Sequence, residues 1–137
     1  MWLHFLVSFL LFSLVDIKLH KIRQNHLIIA ILTLLPLVNC ASLIFGVLNY
    51  LVYRVLYVLS QKRIGYGDVR LSFLMGLYSG TLFESFLALA WINLSAWGSA
   101  GAFSLIRLIK LGIALNDRVP FAPFMFLGVI VTALMLN

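Results

Sequence analysis

Two apolar stretches, His26 to Leu59 and Leu71 to Ile106, constrain this chain more than any other feature. As single helices each would measure about 50 Å, well beyond the roughly 30 Å hydrocarbon core of a bilayer. Each must therefore fold back on itself. Turn residues sit where the fold-back is needed: Pro36, Asn39 and Ser42 near the middle of the first stretch, and Gly80, Thr81 and Glu84 about a third of the way into the second. Two helical hairpins are the expectation.

The basic residues give the hairpins a direction. All but Arg54 of the 10 Lys and Arg residues lie in three clusters: Lys18, Lys21 and Arg23; Lys62, Arg63 and Arg70; Arg107, Lys110 and Arg118. Each hairpin lies between two clusters, so an even number of crossings returns the chain to the same side, and all three clusters share the cytoplasmic face that positive loops favour. A bilayer is also what the composition demands. The hydrophobic class makes up 64% of the chain and charged residues only 10%, against about half and about a quarter in soluble domains. Adding Trp2 to Val15 before the first cluster and Val119 to Leu136 after the last gives six spans with both termini outside; five spans and a re-entrant segment is the alternative. At roughly 20 residues per span, 137 residues form a single transmembrane domain with no room for a separate cytosolic catalytic domain. Met1 to Val15 has neither a basic start nor a small-residue cleavage site, which argues against a removable signal peptide.

Composition also sets aside other functions. The net charge of +6 reports topology and contact with anionic headgroups rather than nucleic acid, because no basic-aromatic surface accompanies it. Cys40 is the only cysteine, and His4, His20 and His26 form no HExxH-like pair, so neither a disulfide, a bound metal nor a cofactor is expected. Gly76 and Gly80 form a GxxxG, and Ser95, Trp97, Gly98, Ser99, Ala100 and Gly101 a small-residue patch; both read as helix-packing surfaces. Arg54 is expected to snorkel towards headgroups, Glu84 to be solvated at an outer turn, and Asp117 to serve a turn or cap in its polar loop.

Two acids stand apart. Asp16 closes the first apolar run and Asp68 opens the fourth, both at the inner membrane border. Carboxylates there are costly to place and usually mark a pathway or an active site. Lys18 and Arg70 are each two residues away, a spacing that does not put side chains on one helical face. Gly65 and Gly67 flank Tyr66 and allow an irregular backbone beside Asp68, which at membrane depth implies a wet cleft or burial in protein. Were Asp16 to reach that cleft, the two carboxyls would share one proton, as in an aspartic protease. Helix ends would then make Asp68, at an amino end, the ionised member and Asp16, at a carboxyl end, the holder of the proton.

Three segments together carry a resemblance: Asp16-Ile17-Lys18-Leu19-His20-Lys21-Ile22; Gly65-Tyr66-Gly67-Asp68-Val69-Arg70-Leu71; and Val119-Pro120-Phe121-Ala122-Pro123-Phe124. The chain resembles the type IV prepilin peptidases, a family of GxGD-type membrane aspartic proteases. The resemblance implies an all-α polytopic membrane protein of about six helices, without cofactor. Its catalytic pair would be Asp16 and Asp68 and its active-site loop Gly65, Tyr66 and Gly67. It would cut the short basic leader from prepilin or pseudopilin-like substrates at the cytoplasmic face of a bacterial or archaeal inner membrane. The proline common after the first aspartate in this family is missing, since Ile22-Arg23-Gln24-Asn25 stands there, and so are the family's paired CxxC motifs. This implies a short, peptidase-only form. Lys18 and Arg70 are candidate partners for a substrate glutamate. Pro120 and Pro123 either line the cleft or simply start the last helix. The rival reading is a non-enzymatic transporter or scaffold subunit, although transport favours carboxylates near the midplane.

Overall fold

A computed structural model describes residues 1–19, 24–60, 64–111 and 120–136, without side-chain detail at 19, 110 and 111. Six helices follow one another: α1 (Trp2–Leu19), α2 (Gln24–Leu34), α3 (Cys40–Leu59), α4 (Tyr66–Leu82), α5 (Phe86–Leu111) and α6 (Ala122–Leu136). No strand occurs among the described residues. The fold is all-helical, and both long stretches are broken, the first where expected and the second only at 83–85, Gly80 and Thr81 remaining inside α4. Pro36 lies in a single 3₁₀ turn, Leu35–Leu37, and Asn39 then caps α3, its side chain accepting from the Ser42 N–H at 2.7 Å. Such a cap satisfies one of the donors a helix start leaves open. The second turn lies between α4 and α5, where Glu84 takes a positive φ of 50°. Glu84 is exposed, as expected, and its Oε1 accepts from Asn39 Nδ2 at 3.3 Å, so the two turns meet at one end of the bundle.

Glycine decides which helices touch closely. The most extensive packing joins α3 to α4. A Cβ at Gly76 would sit 2.5 Å from the Phe45 carbonyl oxygen, and one at Gly80 would sit 2.5 Å from Ser42 Cα. The GxxxG is thus a close-packing face, with α3 as its partner. The small patch of α5 behaves otherwise. Gly98 and Gly101 are exposed and face open space, whereas α6 meets α5 through Gly128, whose Cβ would lie 2.5 Å from the Ile92 carbonyl. Facing the neighbour, not smallness, settled the matter, and only Ala96 and Ala100 of that region are buried.

Inside the bundle Phe5 and Phe9 of α1 pack against Tyr78 of α4, at centroid distances of 5.2 and 5.7 Å, and against Phe126 of α6. His4 bonds to both Tyr78 and Thr33 and so ties α1 to α4 and α2. Asn49 donates to the Ser72 carbonyl at 2.8 Å and accepts from Asn93 at 2.9 Å, which links α3, α4 and α5 through polar groups in an apolar interior. Outside, the pattern is inverted. α3 and the Phe86–Ile109 part of α5 are long and apolar enough to cross a membrane, and only 28% and 22% of those windows are buried. A core helix of a soluble protein would hide most of such a surface.

Candidate active site

The site lies where α1 ends and where α4 and α6 begin. α1 continues to Leu19, beyond the expected stop at Val15, so Asp16 lies in its last turn and is carried inside the bundle, where it is 6% exposed. There its Oδ2 accepts from the Ala122 N–H at 3.1 Å. Ala122 is the first residue of α6, so this amide is one of the donors that the helix leaves unpaired. It is available because Pro120 precedes the helix and Phe121 starts it, its carbonyl accepting from Phe124 and Met125. Pro120 and Pro123 themselves are half-buried beside this contact.

Asp68 occupies the third position of α4, whose amino cap is Gly65. Its carboxyl turns back and accepts from the Gly65 backbone N–H, one half of a capping box. Glycine is needed at 65 for room: a Cβ there would lie 2.8 Å from Asp68 Oδ2. The conformation at 65 is ordinary and extended, φ −65° and ψ 135°, and Tyr66 and Gly67 already belong to the helix. Among the described residues the non-helical backbone beside Asp68 is that of Ile64 and Gly65. Close approach, not a glycine-only conformation, is what the motif supplies here.

The two carboxyl groups lie within electrostatic reach of each other: the negative charge of Asp16 acts on Asp68. The contrast expected from helix ends does not survive the fold. Asp16, although at a carboxyl end of its own helix, faces the amino end of α6, so each carboxyl has a helix-start amide. Asp16 is buried while Asp68 is half-buried, and Gly65 and Tyr66 are exposed. Among the described residues the exposed ground nearest Asp68 is the amino end of α4.

Tyr66 is held in place by cations. Arg70 lies 4.6 Å and Arg54 5.6 Å from its ring centroid, and Tyr57 packs edge-on at 5.6 Å. Arg54, expected to snorkel, thus also clamps the start of α4. Arg70 Nη1 donates to Gln24 Oε1 at 2.9 Å, which directs it to α2 and away from the carboxyl pair. Arg70 also borders an apolar groove with Leu27, Ile31, Val47, Tyr50 and Phe73. Lys18 is exposed in the last turn of α1. Asp117 lies outside the described residues.

Sequence reasoning missed the Ala122 amide that binds Asp16, and Tyr53, which feels the charge of Asp68 and is held by Trp97. Tyr53 is 1% exposed, accepts from Trp97 Nε1 at 2.9 Å, and stacks edge-on with Phe121 at 6.2 Å. The sequence does carry a signal, because Asn49, Tyr53 and Tyr57 form an i, i+4, i+8 stripe of polar-tipped residues within an apolar span. Set against known proteins, the chain matches no family model, no curated protein and no solved structure.

Proposed function

We propose that this protein is an aspartic endopeptidase of the cytoplasmic membrane that removes the basic leader from prepilin or pseudopilin-like proteins. One observation carries the reading: Asp16 of α1 and Asp68 of α4 interact electrostatically, Asp16 accepting from the Ala122 amide and Asp68 turning to the Gly65 amide. In the proposed dyad the two carboxyls close up and hold a single proton between them, because like charges so placed cannot both ionise. The ionised member takes a proton from water as the water oxygen adds to the peptide carbonyl carbon, and the protonated member hydrogen-bonds and then protonates the carbonyl oxygen. As the tetrahedral intermediate collapses, the C–N bond breaks and the leaving nitrogen receives the proton taken from water. The carboxyl that protonated the carbonyl oxygen takes a proton back from the hydroxyl of the new acid product, the other is again ionised, and the pair is reset.

The remaining parts fit a substrate that arrives as an apolar helix with a basic leader. The exposed apolar surface of α3 and α5 favours lipid around the bundle. A six-span topology with both termini outside would put the three basic clusters, and with them the dyad, at the cytoplasmic border. The test is co-expression with a prepilin, reading the leader by mass. Cleavage by the wild type that disappears in both Asp16→Asn and Asp68→Asn supports the enzyme. A wild type that leaves every prepilin and pseudopilin tried uncut, or cleavage that survives both substitutions, refutes it in favour of a transporter or scaffold.

A further inference from the structure

Tyr53 is a fully buried phenol on the inward face of α3, one turn beyond Asn49, and its environment is specific. Its oxygen accepts the Trp97 indole N–H at 2.9 Å, and its ring is braced by Trp97 at 5.7 Å and Phe121 at 6.2 Å. Phe121 is the residue immediately before Ala122, whose amide binds Asp16. On the other side, the charge of Asp68 acts on Tyr53. α3, α5 and α6 thus meet around this phenol, one residue from the amide that binds Asp16, and among the described residues Trp97 alone bonds to its oxygen.

The hydrogen bonding leaves that hydroxyl one thing to do. A phenol has one O–H to donate, and Trp97 uses an acceptor position, not the proton. Among the described residues the Tyr53 O–H meets no protein acceptor, and no direct hydrogen bond joins it to Asp68. A buried donor without an acceptor costs free energy and is normally met by water or a ligand. We infer that Tyr53 is a catalytic residue of the proposed peptidase, donating its O–H to the substrate carbonyl oxygen beside the protonated carboxyl, with Trp97 as its positioning residue. The phenol keeps its proton throughout; it stabilises the charge that builds on oxygen as the carbonyl becomes tetrahedral. A donor of this kind acts on the transition state more than on the bound substrate.

The inference rests on the peptidase reading, and the experiment separates the two. Purified wild type, Tyr53→Phe, Trp97→Phe and the double variant Tyr53→Phe/Trp97→Phe are compared on a prepilin leader peptide, with Asp16→Asn and Asp68→Asn in parallel. Tyr53→Phe keeps the ring contacts and is expected to lower kcat by about 100-fold with KM changed less than about threefold. Tyr53→Phe leaves the indole N–H unpaired, so the double variant, which removes both polar partners, controls for folding. It is expected to fold as the wild type does and to show the same kcat loss as Tyr53→Phe. Trp97→Phe alone, which leaves the O–H but frees its orientation, is expected to lose about tenfold. If the double variant folds and retains wild-type kcat while both aspartate variants are dead, the Tyr53–Trp97 bond is only a brace between α3 and α5, and this inference is overturned with the dyad intact. If the aspartate variants cut as the wild type does, or nothing cuts, the dyad reading falls and the role of Tyr53 falls with it.

Discussion

Replacing one glycine of the α3–α4 interface by alanine should separate these helices by a calculable amount. A Cβ on Gly76 would lie 2.5 Å from the Phe45 carbonyl oxygen, 2.7 Å from Gly46 Cα and 2.9 Å from the Phe45 carbonyl carbon, against ordinary contact at 3.4 Å or more. All three obstacles are backbone atoms, which no rotamer change can move. The helices must part by about 0.9 Å, and overpacking of this kind costs about 1–3 kcal/mol, here towards the upper end. The same substitution elsewhere gives internal controls. At Gly46 the obstacle is the Leu77 side chain, 2.9 Å away, which can rotate, so the cost drops to about 1 kcal/mol. At Gly98 the new methyl meets nothing, and removing a mid-helix glycine gains about 0.5–1 kcal/mol. Unfolding in detergent micelles, followed by tryptophan fluorescence, should order stability as Gly98→Ala, wild type, Gly46→Ala, Gly76→Ala, over a range of about 3 kcal/mol. Gly76→Ala should also slow leader cleavage. Asp68 lies about 12 Å along the same helix axis, and a shift near 1 Å at a reacting group costs about 100-fold. A Gly76→Ala protein as stable as Gly98→Ala would refute the close packing from which both figures derive.

Three further outcomes follow from individual contacts. Gly65→Ala should reduce cleavage at least about tenfold, because its methyl displaces the Asp68 carboxyl from the Gly65 N–H, while stability changes by less than about 1 kcal/mol at an exposed helix start; equal kcat in both proteins would count against it. His4→Leu, which cuts the links from α1 to Tyr78 and Thr33, should cost only about 1 kcal/mol in the same unfolding assay, since Tyr78 retains a bond with Ser8. Charge reversal at Lys18 and Arg70 together should weaken cleavage of a substrate with a glutamate near the cut and be relieved by a lysine there; of the two, Lys18→Glu should show the larger effect, because Arg70 is already engaged by Gln24 and Tyr66.

The helix count and the turns were readable because both are matters of length and chain chemistry: apolar runs too long for one span, broken at Pro36 to Asn39 and again near Glu84. Which helices embrace was not. GxxxG marked a face of α4 that suits any close neighbour; the complement, Ser42 and Gly46 of α3, is likewise a small-xxx-small pair, but neither pattern names its partner. The contrast with Gly98 and Gly101 makes the point physically: small residues permit contact, and only the rest of the bundle decides whether contact occurs. At the site, side chains were readable and backbone donors were not. Asp16 and Asp68 stand out in an apolar chain, but the Ala122 amide that binds Asp16 is invisible as a letter, because every residue except proline has one. The fold gives the GxGD and PFAP segments a shared physical content. Each begins a helix, each leaves an N–H free at that beginning, and each has a small residue, Gly65 or Ala122, at the amide that meets a carboxyl. A residue that presents its amide to a buried carboxylate must bring little else with it. That requirement links two motifs from opposite halves of the chain, and it explains why the carboxyl pair is built on helix starts rather than on the basic side chains beside it.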